Sequence, residues 1–85
     1  MPMITLHNRD WQNGVTVEAH QGNSFDPDQN PSLGTRRIAY QGNWVINSGN
    51  DDVQYRRDKD PDHPPDDMTV WTNISSVVGD QIINV

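Results

Sequence analysis

Eighty-five residues with no cysteine fit one thin core, because a chain this short buries only about 60–65% of its unfolded surface. Disulfides and thiolate metal sites are excluded. A formal net charge of -6, with eleven of the twelve acidic residues being Asp, argues against nucleic acid, whose binders present a basic face.

Apolar residues make up only 32% of the chain and the mean hydropathy is -0.88, values that border on those of disordered segments. Three tryptophans, two tyrosines and a phenylalanine, together with clustered Val and Ile, favour a folded domain with long polar loops. Helix formers are scarce: two Leu, two Ala, one Glu and one Lys. Asn, Asp, Gly, Pro and Ser favour turns instead, while Val, Ile, Thr and Trp suit a pleated surface. No helix is expected. No apolar run approaches the roughly 20 residues that span a bilayer, so no membrane partner is expected. The opening MPMITL lacks the charged and apolar regions of a secretory signal, and the compartment stays open.

Along the chain, Met3 to Leu6 reads as a first strand, extending toward Trp11. Asn13-Gly14 supplies two residues that tolerate positive φ and predicts a tight hairpin. In Val15 to His20 the alternation predicts Val15, Val17 and Ala19 inward and Thr16, Glu18 and His20 toward water. Gln21 to Gly34 reads as a long loop, broken by Asp-Pro and Asn-Pro steps and pinned to the core by Phe25 and Leu33. Strands are then predicted at Thr35 to Tyr40, Trp44 to Asn47 and Val53 to Arg57, with turns at 41–43 and 48–52. Trp44 and Ile46 share a face, which places Trp44 in the core. Asp58 to Asp67 (DKDPDHPPDD) fits neither strand nor helix. Met68 to Ile74 predicts a strand with Trp71 opposite Val70 and Thr72. After Val77-Val78 and a Gly79-Asp80 turn, Gln81 to Val85 predicts a closing strand. Residues 19–23 and 39–43 echo one another (AHQGN and AYQGN), which reads as one turn chemistry used twice.

The whole, residues 1–85, is expected to be a single all-β domain. Its architecture is a small antiparallel β-sandwich or partly open barrel of six or seven short strands with long polar loops.

Candidate sites are few. Asp58, Asp60 and Asp62 stand at alternate positions, as do Asp26, Asp28 and Asn30, a spacing that can direct several oxygens at a calcium ion. An EF-hand is excluded: counting from Asp58, position six is His63 and position twelve is Thr69. A solvated acidic loop is the plainer reading, with Arg56, Arg57 and Lys59 placed to pair with its aspartates. His7, His20 and His63 match no ligand spacing and are expected at the surface. No nucleophile elbow, HExxH, P-loop or Gly-rich dinucleotide turn is present, and an enzyme is not expected. Asn73-Ile74-Ser75 matches a glycosylation acceptor pattern but falls in a predicted strand. Exposed aromatics suit sugar stacking or protein contacts, which makes Trp71 and Tyr55, with Arg56 and Arg57, the candidate binding residues.

The expected function is therefore a non-catalytic protein-interaction or assembly module. It would act through a sheet face or edge and the acidic loops, with a protein partner or by self-association. Two alternatives are a carbohydrate-binding module supported by calcium and a small acidic antagonist of a basic target surface.

Overall fold

Short runs of alternating apolar and polar residues become pleated strands because alternation buries every second side chain and leaves the rest wet. In the computed structural model, which describes residues 3–22, 24, 26–63 and 67–85, seven strands form: β1 (Met3–His7), β2 (Val15–Gln21), β3 (Ser32–Ile38), β4 (Asn43–Asn47), β5 (Val53–Arg57), β6 (Thr72–Ile74) and β7 (Gln81–Asn84). Two sheets pack face to face, one ordered β4-β1-β7 and the other β3-β2-β5-β6. The shortest extent of the molecule is 16 Å, enough for two sheets about 10 Å apart with one layer of side chains between them. The β-sandwich expectation holds. So does the expected number of strands among the described residues.

The core is the inner layer of both sheets. Ile4 and Leu6 of β1 with Trp44 and Ile46 of β4 face Val15, Val17 and Ala19 of β2, Ile38 of β3, Val53 of β5 and Ile74 of β6. Trp44 is 4% exposed, as its shared face with Ile46 predicts. Leu33 packs against this layer; Phe25 lies outside the described residues.

Turns cross between sheets where the sequence reads as hairpins. Asn13-Gly14 does make a turn, with the Gly14 N–H on Trp11 O at 3.0 Å and Gly14 at φ 91°. However, β1 pairs with β4 and β2 pairs with β3 and β5, so this turn leaves one sheet and enters the other. The turns after β3 and β4 also change sheets. Buried Asn8 explains how two of these crossings are held. Its Nδ2 donates to Trp11 O at 2.8 Å and Ile38 O at 3.0 Å, and its Oδ1 accepts the Trp11 N–H at 2.9 Å. The Gly42 carbonyl accepts the Asn8 N–H at 3.1 Å, and the Asn8 carbonyl accepts the Gln41 N–H at 2.8 Å. One side chain thus ties the β1–β2 crossing to the β3–β4 crossing. Gly42 is required there because a Cβ would come within 2.9 Å of Ala39 O.

Other expectations are corrected. The first and last strands pair parallel, with Leu6 beside Ile83; only a long route through the other sheet permits this, since parallel neighbours need a crossover. The strand expected over 68–74 shrinks to β6, preceded by a lone bridge between Asp58 and Met68. Ser76–Val78 winds into a 3-10 turn, as does Pro27–Gln29. The echoed segments do not share a structure: 19–21 belong to β2 whereas 39–42 form a tight turn. His20 is buried, not solvated.

Candidate functional site

Strand alternation divides the predicted binding residues. Glu18 lies opposite Arg56, and Ala19 opposite Tyr55, so Arg56 is on the outer face of the four-stranded sheet and Tyr55 and Arg57 on the inner. On the outer face the Arg56 guanidinium stands 4.7 Å over the Trp71 ring and its Nε donates to Glu18 Oε1 at 2.7 Å. His20 meets the same ring at 4.7 Å. Its Nδ1 is 2.6 Å from Pro27 O; a carbonyl only accepts, so Nδ1 carries the hydrogen. Nε2 faces Glu18 Oε2 at 3.6 Å. Trp71 is accordingly half-buried beneath an arginine and a histidine.

Tyr55 and Arg57 reach the open end of the sandwich. There they line a cleft of about 400 Å³ with Arg9, Trp11, Thr69 and Asn84 among its walls. Arg57 lies 5.1 Å over the Trp11 ring, donates to Asp58 O at 2.7 Å and receives support from Thr69, whose Oγ1 accepts the Arg57 N–H at 3.1 Å. At the rim Arg9 pairs with Asp10, a hydrogen bond that raises the Arg9 pKa further. Every tryptophan carries an arginine, since Arg36 covers Trp44 at 5.0 Å. Such stacking contributes about 0.5–1 kcal/mol at exposed sites.

The three aspartates singled out for calcium go to different tasks. Asp58 is buried: Oδ1 accepts the Thr16 N–H at 2.9 Å and Oδ2 faces Arg37 Nη1 at 3.3 Å. Asp60 holds the Asp62 N–H at 3.2 Å and the His63 ring at 2.9 Å, and Asp62 accepts from Asn13 at 3.3 Å. Among the described residues no group of three or more His, Asp and Glu is placed to hold a metal ion. The expected pairing of Arg56 and Arg57 with these carboxylates is corrected: Arg37, brought alongside by β3, is the partner, and it also donates to Pro61 O at 3.1 Å. Elsewhere the Ser76 N–H, at 2.8 Å from Asp52 Oδ1, holds the Asp52 carboxyl below its ordinary pKa, with Asn73 adding to the effect.

The outer face of the three-stranded sheet is the surface that sequence reasoning left unassigned. Val45, Thr5 and Ile82 stand side by side across β4, β1 and β7. Val45 is 52% exposed and Ile82 74%, with Met3 beside them at 38%. Val77 and Val78, on the turn leading into β7, are also exposed. β7 ends the sheet. The Val85 N–H points inward to His7 O at 3.0 Å, so by the two-residue alternation of backbone direction Ile82 and Asn84 point their N–H and C=O groups outward.

Comparison of the chain with protein-family models, curated protein sequences and solved structures finds no match.

Proposed function

We propose that the chain is a non-catalytic assembly module that joins a second copy of itself through β7 and the outer face of the three-stranded sheet. The observation that carries this reading is the contrast between the edges of the two sheets. An open edge ordinarily bears charges, proline, a bulge or very short strands, which discourage pairing with other chains. The four-stranded sheet has such devices: β3 carries Arg36 and Arg37, its pairing with β2 shifts register at Ala19/His20, and β6 is three residues long. β4 (NWVIN) and β7 (QIIN) have no charged residue and no proline.

A second copy fits β7 better than a charged partner does. Antiparallel two-fold pairing of β7 with β7 sets Ile82 opposite the second copy's Asn84 and lets both residues exchange hydrogen bonds. It places no like charges across the seam, although the chain as a whole is at -6. The Ile82 side chains of the two copies then lie diagonally across the joint on the outer face, and the apolar area they remove from water rewards association by about 25 cal/mol per Å².

Sedimentation velocity from micromolar to millimolar concentration tests this. The wild type should gain mass with concentration, and Ile82→Lys, which places a charge on an exposed edge position, should stay monomeric with an unchanged melt. A wild type that remains monomeric throughout refutes the reading.

A further inference from the structure

The cleft at the open end of the sandwich shares Asn84 with β7, and its chemistry points to a ligand of its own. We infer that it binds a small carboxylate carried on a flat apolar body, with Arg57 holding the carboxylate and the Trp11 and Tyr55 rings flanking the body.

Three observations lead there. Arg9, Arg37 and Arg56 each face a carboxylate, whereas Arg57 has no acidic partner among the described residues. In a chain with twice as many acidic as basic residues, a half-buried guanidinium left without one is conspicuous. Arg57 is also fixed in place: it lies on Trp11 and spends a donor on Asp58 O, which leaves the rest of its fork free to meet an anion in two-point geometry. Finally, the carboxylate in the cleft lining, Asp10, is taken by Arg9, and other polar groups near Arg57 can donate. The Thr69 Oγ1 already accepts the Arg57 backbone N–H, so its own hydrogen is free to point to a ligand. The Thr72 hydroxyl and the Asn84 amide, from opposite sheets, also line the cleft.

The apolar part of the lining is Tyr55, Val70 and Val85 beside Trp11, and the Arg9–Asp10 pair completes it. A cavity near 400 Å³ falls within the range of about 300–1,000 Å³ typical of small-molecule sites. A guanidinium without an acidic partner beside flat aromatic surface selects a carboxylic acid with a planar body over an uncharged sugar, which would leave the cation unneutralised, and over a free inorganic anion, which would leave the rings unused.

Phenylacetate and its uncharged counterpart phenylacetamide are the probes, titrated into the isotopically labelled protein while the three indole N–H resonances are followed. Phenylacetate should shift the Trp11 resonance saturably and leave those of Trp44 and Trp71 in place. Phenylacetamide should bind about tenfold more weakly or worse, because it loses the charge-assisted fork. Arg57→Gln should weaken phenylacetate binding to a similar degree. The amide comparison needs no variant, so the inference stays testable if Arg57→Gln unfolds. Equal affinity for acid and amide overturns it, as does a shift spread over all three indoles or no saturable shift at millimolar probe.

Discussion

Asn8→Ala should damage the fold more than any other single polar truncation in the crossings between the sheets. The substitution removes one hydrogen bond from a fully buried acceptor, Ile38 O, and two from the half-buried backbone of Trp11. An abandoned buried polar group costs about 1–3 kcal/mol, and an ordinary hydrogen bond contributes about 0.5–1.5 kcal/mol net. One of the first and two of the second give a loss of about 2–6 kcal/mol, centred on roughly 4 kcal/mol. The whole stability of a domain this size is on the order of 5–10 kcal/mol. Each kcal/mol moves the melting point of such a domain by about 4–8 °C, so the variant should melt more than about 10 °C below the wild type. Urea unfolding should place the change in the midpoint and leave the slope intact. Asn8→Asp preserves shape and the Oδ1 acceptor but faces two carbonyl oxygens with no donor, and should be at least as unstable at neutral pH. Gln12→Ala, at an exposed position in the same crossing, should change stability by less than about 0.5 kcal/mol. An Asn8→Ala melt indistinguishable from that of Gln12→Ala would refute the clamp.

Two further outcomes follow from single side chains. Trp44→Ala should cost about 3–5 kcal/mol, because the ring is 4% exposed within the shared core; a melt unchanged by the substitution would remove Trp44 from the core. Asp52 has a folded-state pKa below its ordinary value, chiefly through the Ser76 N–H and secondarily through Asn73. A depressed carboxyl contributes stability that is complete above its unfolded pKa, near 3.8, and is lost as pH falls through the lower folded value. Asp52→Asn should therefore be less stable than the wild type at neutral pH, and the gap should close in strong acid; a gap constant with pH would contradict this.

The strands and the core were legible because both rest on local alternation. Val15, Val17 and Ala19, and likewise Trp44 with Ile46, reveal their face within five residues of sequence. The order of strands was not legible, because it depends on whether a turn folds back or crosses over. Asn13-Gly14 reads the same in either case. What decides is Asn8, an unremarkable polar residue in sequence, whose partners at 11 and 38 come together only in the folded chain. The same distance in sequence hid the partner of Asp58: Arg37 lies 21 residues away and arrives through β3, while Arg56 and Arg57 next door turn to Trp71 and Trp11. His20 looked solvated by alternation, and by alternation it does sit on the outer face. It is buried because Trp71 and the Pro27 turn cover that part of the sheet, which no local pattern foretells. Of the four candidate binding residues, the alternation within β5 itself could have separated Tyr55 and Arg57 from Arg56. Trp11, the partner of Arg57 in the cleft, carried no signal beyond being a tryptophan near a turn.

Backbone amide exchange at Ile82 and Asn84, measured at low and high protein concentration, tests assembly through β7 most directly. Their N–H groups face away from β1, so in the monomer they should exchange quickly. If β7 pairs with β7 of a second copy, both should slow as concentration rises, while Gln81 and Ile83, already directed at β1, change little. Exchange at Ile82 and Asn84 that is the same at every concentration would contradict assembly through this edge.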